Sequence, residues 1–193
     1  TKKEAPAWLR GTGLEWTREK LDTWTIGSSG SRPAANLFHP DWNDTGTLAW
    51  SRSGAGSEGQ TDTTSLYAFD TLKFGEHFLV TGGVRADHYK TEYYSSAVCN
   101  NGTGRGAVAC GSEPLGSIVT TADLDDSDTL YNWKLGAVYK PVEAGSLYVN
   151  YAISQQPPGG SNFQLSVDAS NANNPNLDPQ KAKTLEIGTK WAV

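Results

Sequence analysis

Residues 131–154 read YNWKLGAVYKPVEAGSLYVNYAIS, and the fold turns on this stretch. Trp133, Leu135, Ala137 and Tyr139 alternate with Asn132, Lys134, Gly136 and Lys140. Pro141, Glu143, Ala144 and Gly145 interrupt the pattern, after which Leu147, Val149, Tyr151 and Ile153 alternate with Tyr148, Asn150, Ala152 and Ser154. Successive side chains of a strand point to opposite faces, so a period of two on both arms of a turn-forming break predicts two strands joined by a tight turn. One face of the pair is apolar, and the other carries lysine, asparagine and glycine.

The same signature extends in both directions. Upstream, Trp8 to Ile26 sets Thr12, Leu14 and Trp16 against Gly13, Glu15, Thr17 and Glu19. A weaker stretch, about Gln60 to Phe74, sets Tyr67, Phe69 and Thr71 against Ala68 and Asp70. Gly75 and Glu76 turn the chain into a third, where Val80, Val84 and Ala86 oppose Thr81, Gly83, Arg85 and Asp87. Downstream, Leu185, Ile187 and Trp191 oppose Glu186, Gly188 and Lys190. Six stretches are thus separated by long polar regions, about 27–59, 95–128 and 155–181, and by short turns at about 75–76 and 141–145.

Connections that alternate long and short put every long loop of an antiparallel meander on one side and every tight turn on the other, the layout of an outer-membrane barrel. The face that carries Arg85, Asp87, Lys134, Lys140, Glu186 and Lys190 would make a poor core but suits a hydrated lumen, which leaves the apolar face to lipid. A strand of about 9–11 tilted residues spans a bilayer, and further residues rise above it. Trp16, Phe74, Phe78, Tyr139, Tyr151 and Trp191 could form interfacial girdles, although periodicity does not separate that use from plain packing. The rival is a soluble β-sandwich binding module, whose half-exposed sheets alternate in the same way. It would need turns every 8–12 residues or so, not a long region at every second connection.

Composition agrees with an all-β chain. The 193 residues include 21 glycines, 9 prolines, 7 tryptophans and 8 tyrosines, a supply of turn formers and aromatics. No run of about 18 apolar residues exists to form a transmembrane helix, and no signal-peptide apolar run follows Thr1 to Pro6. The net charge of −5 argues against a nucleic-acid partner, which needs clustered Lys and Arg. With no methionine and Thr1 at its head, the chain is expected to be a processed protein or a piece of a longer one.

Three segments carry a resemblance to a known family. Thr64 to Tyr89, TSLYAFDTLKFGEHFLVTGGVRADHY, ends in a Gly-x-Arg-x-Asp core at Gly83, Arg85 and Asp87. Tyr131 to Ser154 holds a Gly-x-x-Tyr-Lys-Pro turn entry, and Asn176 to Trp191, NLDPQKAKTLEIGTKW, carries a Leu-x-Pro-Gln start and a Glu-x-Gly-x-Lys end. Together these resemble the TonB-dependent outer-membrane receptors, and within them the siderophore receptors; the hairpins look closest to the catecholate type. The resemblance implies a barrel of about 22 strands plugged by an N-terminal domain. Residues 1–193 are then expected to be about six strands of that barrel domain, with the plug domain, the TonB-interacting box and the aromatic-ended C-terminal strand missing. It further implies a Gram-negative outer-membrane protein, in contact with outer-membrane lipid, that binds a ferric siderophore at its extracellular mouth. Uptake is driven by the TonB complex acting through the plug. Iron arrives already chelated, no cofactor is bound directly, and no chemistry is done on the ligand. A passive porin is the alternative that shares the barrel.

Cys99 and Cys110 lie in the second long region, flanking the glycine-rich NNGTGRGAVA. In an exported protein they are expected to form a disulfide closing a loop of about a dozen residues; the rival is a pair of free thiols, and a zinc site would need two further ligands. Gly102 to Gly106 reads Gly-Thr-Gly-Arg-Gly but lacks the strand, the helix and the Gly-Lys-Ser/Thr ending of a phosphate loop. Asp123, Asp125, Asp126 and Asp128 lack the glycine and the final glutamate of a calcium loop and read as a solvated loop base. Catalysis has no motif: Asp87 and His88 are adjacent and so point to opposite faces, and neither Gly-x-Ser-x-Gly nor His-Glu-x-x-His occurs. The candidate ligand contacts are aromatic and cationic residues of the long regions: Arg32, Phe38, Trp42, Arg52, Tyr93 and Arg105, with Trp24, His39, Trp50 and Tyr94 beside them. Anionic chelates with aromatic surfaces suit stacked rings and guanidinium groups. Packing of loop over loop is the competing use of such aromatics.

Overall fold

A computed structural model describes residues 8–31, 34, 36–43, 46–104, 106–160 and 162–192. Six strands follow in chain order: β1 (Trp8–Ser29), β2 (Ala49–Phe74), β3 (Phe78–Val98), β4 (Ile118–Val142), β5 (Gly145–Gln156) and β6 (Gln180–Trp191). They form one sheet in the order β1-β2-β3-β4-β5-β6, so each strand pairs with its neighbours in sequence and β1 and β6 are the sheet edges. Among the described residues there is no helix. The tight turns fall after β2 and β4, and the long connections after β1, β3 and β5, as the pattern predicts. Gly75, at φ 63°, supplies the left-handed step that the first tight turn needs.

The strands run further than the sequence pattern suggests. Residues 49–59, 95–98 and 118–128, read above as parts of long polar regions, are strand. Alternation marks a strand only when its faces differ in polarity, and ADLDDSD at 122–128 has almost no apolar side to contrast. The acidic run is therefore corrected from a loop base to a segment of β4, where the Tyr89 hydroxyl donates to Asp126 Oδ2 at 2.6 Å.

The chain divides into two compact units: residues 1–20, 60–92 and 125–193 in the first, 21–59 and 93–124 in the second. In the first, register fixes the faces. Leu135 pairs with Tyr151, and Tyr151 with Leu185; Ala137 pairs with Val149, and Val149 with Ile187. This apolar row is exposed, with Ile187 showing 76% of its surface. The opposite face holds the buried residues, and most are polar: Thr61, Ser65, Asp87 and Thr91, joined by Tyr89 and Leu130. Burial is thus inverted relative to a water-soluble sheet, whose apolar face is the covered one.

Tyr67 and Phe69 fall on the polar face although they are aromatic. A Cβ at Gly13 would collide with the Tyr67 ring and one at Gly11 with the Phe69 ring, so each ring lies across a glycine of β1. The gap left by the missing side chain is filled from the neighbouring strand. On the apolar face, Phe78 stacks on Tyr139 at 4.6 Å, with Phe74 and Trp191 also exposed near the tight-turn ends. From Phe78 to His88, tilted β-strand geometry gives a rise of about 25 Å, the height of a lipid-facing band.

Candidate functional site

The buried polar face of the first unit is organised around Asp87. Its Oδ1 accepts from Arg85 Nε at 2.6 Å and from the Ser65 hydroxyl at 2.6 Å, and its Oδ2 accepts from Asn132 Nδ2 at 2.9 Å. Arg85 reaches further, donating from Nη1 to Glu15 Oε2 at 3.1 Å and from Nη2 to Ser65 Oγ at 2.8 Å, with its guanidinium over the Tyr67 ring. Four strands contribute one side chain or more, which the alternation of β1 to β4 makes possible: Glu15, Ser65, Asp87 and Asn132 all point to the same face. Asp87 is buried and His88, the next residue, is exposed, as adjacent positions on a strand must be.

Above this network the segment after β5 folds across a cavity of about 280 Å³. Its walls include Thr17, Glu19, Thr61, Thr91 and Asp87, and its roof is Pro157 to Gly160 with Phe163. Two prolines at Pro157 and Pro158 cannot donate to a ladder, which ends β5 and frees the chain to turn. The roof is held locally: Phe163, at φ 55°, donates its N–H to Gly159 O at 2.8 Å. Farther along, Asn174 is buried and donates to the carbonyls of Val167 and Asp168 at 3.4 and 3.2 Å. The Asp168 carboxylate accepts the Ser170 N–H at 2.9 Å and its hydroxyl at 2.8 Å, and these bonds, the backbone one first, hold its pKa below the usual aspartate value.

A second polar cluster lies on β5 and β6, where the Tyr148 hydroxyl donates to Glu186 Oε1 at 2.8 Å and Lys190 sits 5.5 Å from the Tyr148 ring. Of the residues expected in the lumen, Arg85 and Asp87 touch, and Glu186 and Lys190 meet through Tyr148. Among the described residues Lys134 joins neither cluster, and its side chain runs beside Gly83. Glu15, Ser65 and Asn132 are the members that sequence reasoning did not single out. Glu15 and Asn132 stood in the polar phase of their strands, and Ser65 in the same phase as Tyr67.

The second unit holds most of the candidate ligand contacts. Arg52 lies on β2 with its guanidinium 4.2 Å from the Trp24 ring of β1, and Trp24 and Trp50 are both exposed. Tyr93 and Tyr94 lie on β3, the Tyr94 hydroxyl 3.1 Å from Thr120 Oγ1. Trp24, Trp50, Arg52, Tyr93 and Tyr94 are accordingly strand residues, a correction to their reading as loop residues; the serine- and glycine-rich stretch 51–59 hid the strand that carries Trp50 and Arg52. Phe38, His39 and Trp42 are in the β1–β2 loop, exposed, with Asn36 Oδ1 accepting the N–H groups of Phe38 and His39 at 2.9 and 3.1 Å. Arg32 and Arg105 lie outside the described residues.

Cys99 and Cys110 form a disulfide, both sulfurs belonging to buried residues, with Cα atoms 5.0 Å apart. The loop they close is also held from inside. Asn100 Oδ1 accepts the N–H groups of Gly102 and Val108 at 3.0 and 2.9 Å, and Asn101 Oδ1 accepts that of Cys110 at 2.8 Å. No cluster of three or more His, Cys, Asp or Glu able to hold a metal occurs among the described residues.

The family model described as TonB dependent receptor-like, beta-barrel, matches residues 6–193. The chain belongs to the TonB-dependent receptor β-barrel family. It is 48% identical over 186 residues to the catecholate siderophore receptor Fiu of Escherichia coli strain K12, covering 94% of this chain and 24% of that protein. A probable TonB-dependent receptor of Bordetella pertussis, BfrD, is 35% identical over 133 residues, covering 69% of this chain and 16% of BfrD. The crystal structure of the ferric-catecholate import receptor Fiu from E. coli K12 in its closed form superposes with a TM-score of 0.86 at 46% identity, covering 96% of this chain and 26% of Fiu. The open form gives 0.76 at 42% identity, covering 98% of this chain and 26% of that one. The chain spans about a quarter of the length of Fiu. TonB-dependent receptors are Gram-negative outer-membrane proteins.

Proposed function

We propose that the chain forms part of the barrel domain of a longer receptor that binds a ferric siderophore of the catecholate class and imports it with energy from TonB. The observation that carries this reading is the 48% identity to a catecholate siderophore receptor along 94% of the chain. The chemistry of the second unit supports it. A ferric catecholate is a planar-ringed anion, and Arg52 stacked on Trp24, with exposed Trp50 two residues before Arg52 on β2, offers cation and ring surfaces together. Phe38, Trp42 and Tyr93, with Arg32 and Arg105, complete the set of side chains assigned to ligand contact. Arg85, Asp87, Lys134, Glu186 and Lys190 are assigned to the lumen wall, where charges of both signs keep the surface hydrated.

The test is iron-limited growth of the source bacterium on individual siderophores, with and without the receptor and with and without TonB. Growth on ferric catecholates should need both. Uptake of every ferric chelate left unchanged by deleting the receptor would end the transport reading. Uptake that needs the receptor but not TonB would make it a passive channel.

A further inference from the structure

The lipid face of the first unit is not evenly covered. Two adjoining hollows, of about 550 and 530 Å³, run along it and share Thr12, Ala68, Val84 and Trp133. Gly82, Ala68 and Thr12 are the small residues of their lining, and a Cβ at Gly82 would meet nothing within 4 Å, so a trough of missing side chains lies between larger neighbours such as Leu66, Trp133 and Leu135. The trough has a direction. At its end nearer the tight turns it is bounded by Arg10 and Asp70, whose side chains form an ion pair at 3.0 Å, four residues before the end of β2. At its other end it opens between Ala86 and Tyr131, where the lining is apolar.

We propose that this trough is a binding site for one phospholipid of the periplasmic leaflet, a hydrocarbon chain lying along Gly82, Ala68 and Val84 and the zwitterionic headgroup against Arg10 and Asp70. Polarity selects the leaflet. Tight turns lie on the periplasmic side of such barrels, so the charged end of the trough faces the periplasm and the apolar end faces the bilayer middle. From Asp70 to Leu66 the tilted strand rises on the order of 10 Å, and the half-thickness of a hydrocarbon core is about 15 Å. A chain entering from the opposite leaflet would end its methyl terminus on an ion pair, which apolar groups disfavour. A zwitterion complements an ion pair, phosphate toward the guanidinium and amine toward the carboxylate. The proposal rests on the outer-membrane placement of the family and is independent of which chelate is carried.

The experiment is native mass spectrometry of the full-length receptor released from nanodiscs that contain phosphatidylethanolamine and lipid A. One phosphatidylethanolamine should stay on the receptor at energies that strip the remaining lipid. Gly82→Leu fills the trough with four carbons and should lower that retention by tenfold or more, as the loss of about two buried methylenes requires. Ala137→Leu, which adds three carbons on β4 of the same face outside the lining of the hollows, should leave it unchanged. Arg10→Gln should lower retention while the trough stays open. If Gly82→Leu does not give a heat-modifiable barrel, Ala68→Leu closes the same trough. Equal retention by the wild type and the trough variants, retention of lipid A in place of phospholipid, or a receptor dimer that Gly82→Leu dissolves would each overturn the proposal.

Discussion

Asn132 Oδ1 accepts the backbone N–H of Gln155 at 2.7 Å. The last backbone pair between β4 and β5 on that side is Trp133 with Ile153, so a side-chain amide continues the ladder where the strands part. Gln155 returns the bond, its Oε1 accepting the Tyr131 N–H at 2.8 Å. The other end of the Asn132 amide donates to Asp87. One residue therefore ties the charge network around Asp87 to the point where the chain leaves β5 for the roof of the cavity.

Asn132→Ala removes a neutral hydrogen bond and one to a carboxylate, a loss of about 2–3 kcal/mol from local stability. The expected result in the full-length receptor is faster hydrogen exchange at Gln155 to Phe163, with the exchange of β6 unchanged. Uniform exchange across both segments would show that the amide does not hold the exit from β5.

Asp87→Ala tests the other end of the same network. Arg85 would keep Glu15 and Ser65 but lose its closest partner, and the Asn132 amide and the Ser65 hydroxyl would lose theirs. Asp87 is mostly buried but Arg85 is 40% exposed and keeps Glu15, so the loss is about 1–3 kcal/mol, the cost of leaving the Asn132 amide and the Ser65 hydroxyl without their acceptor. The temperature at which the folded receptor loses its heat-modifiable gel migration should fall. Asp87→Asn, which keeps the shape and one acceptor oxygen but loses the charge and turns the second acceptor into a donor, should fall less; an equal fall for both would assign the effect to charge alone.

Most of the membrane-spanning architecture was legible from the sequence, and the reason is visible in Leu135, Tyr151 and Leu185. These residues share a row because each strand must set an apolar side against lipid and a polar side against water, which forces strict alternation. The signal fades at residues 49–59 and 118–128 because both faces of those strand segments are polar, and alternation between two polar residues is invisible. The candidate site was legible in part. Arg85 and Asp87 announced themselves as charges in a strand, but Ser65 and Asn132 did not, since an ordinary polar residue in the lumen phase becomes a partner only through the register that sets strands side by side. Tyr67 and Phe69 misled for the opposite reason: their rings follow the glycines of β1, Gly11 and Gly13, and not the polarity of their own strand.

That relationship gives a packing prediction. Gly13→Leu places a side chain where the Tyr67 ring lies, and the sheet should be destabilised by about 1–3 kcal/mol, the range for overpacking. Tyr67→Ala alone opens the space and is also destabilising. The double variant should recover part of the Gly13→Leu loss, so a thermal-stability cycle in the full-length receptor should show a coupling of opposite sign to the single effects. Additive losses would mean that the ring moves aside freely.

Acid should loosen the β5–β6 connection at one turn. The Asp168 carboxylate is held below its ordinary pKa by the N–H and hydroxyl of Ser170, so the turn's contribution is present above the unfolded aspartate value and is lost as pH falls through the lower folded value. Hydrogen exchange of the segment Ser166 to Asn176, corrected for the intrinsic pH dependence, should stay constant through neutral pH and accelerate only below the ordinary aspartate range. Asp168→Asn retains an acceptor for Ser170 but cannot titrate, so its exchange should be slightly faster at neutral pH and flat into acid. Acceleration in the variant that matches the wild type would place the titrating group elsewhere.

The disulfide loop offers a sharper separation of effects. Replacing Cys99 and Cys110 together by serine frees a loop of about a dozen residues, for which loop-closure entropy predicts about 3 kcal/mol of lost restraint. The Asn100 and Asn101 side chains still bond the loop's own N–H groups, so its hairpin path should survive and the loss should appear as greater mobility of the Gly102 to Gly106 tip. Limited proteolysis of the reduced-equivalent receptor should cut within that tip while leaving β3 and β4 intact. If the same variant also lowers uptake of a ferric catecholate at constant receptor abundance, the loop takes part in ligand capture; unchanged uptake with a cut tip would confine the disulfide's role to protection of the loop.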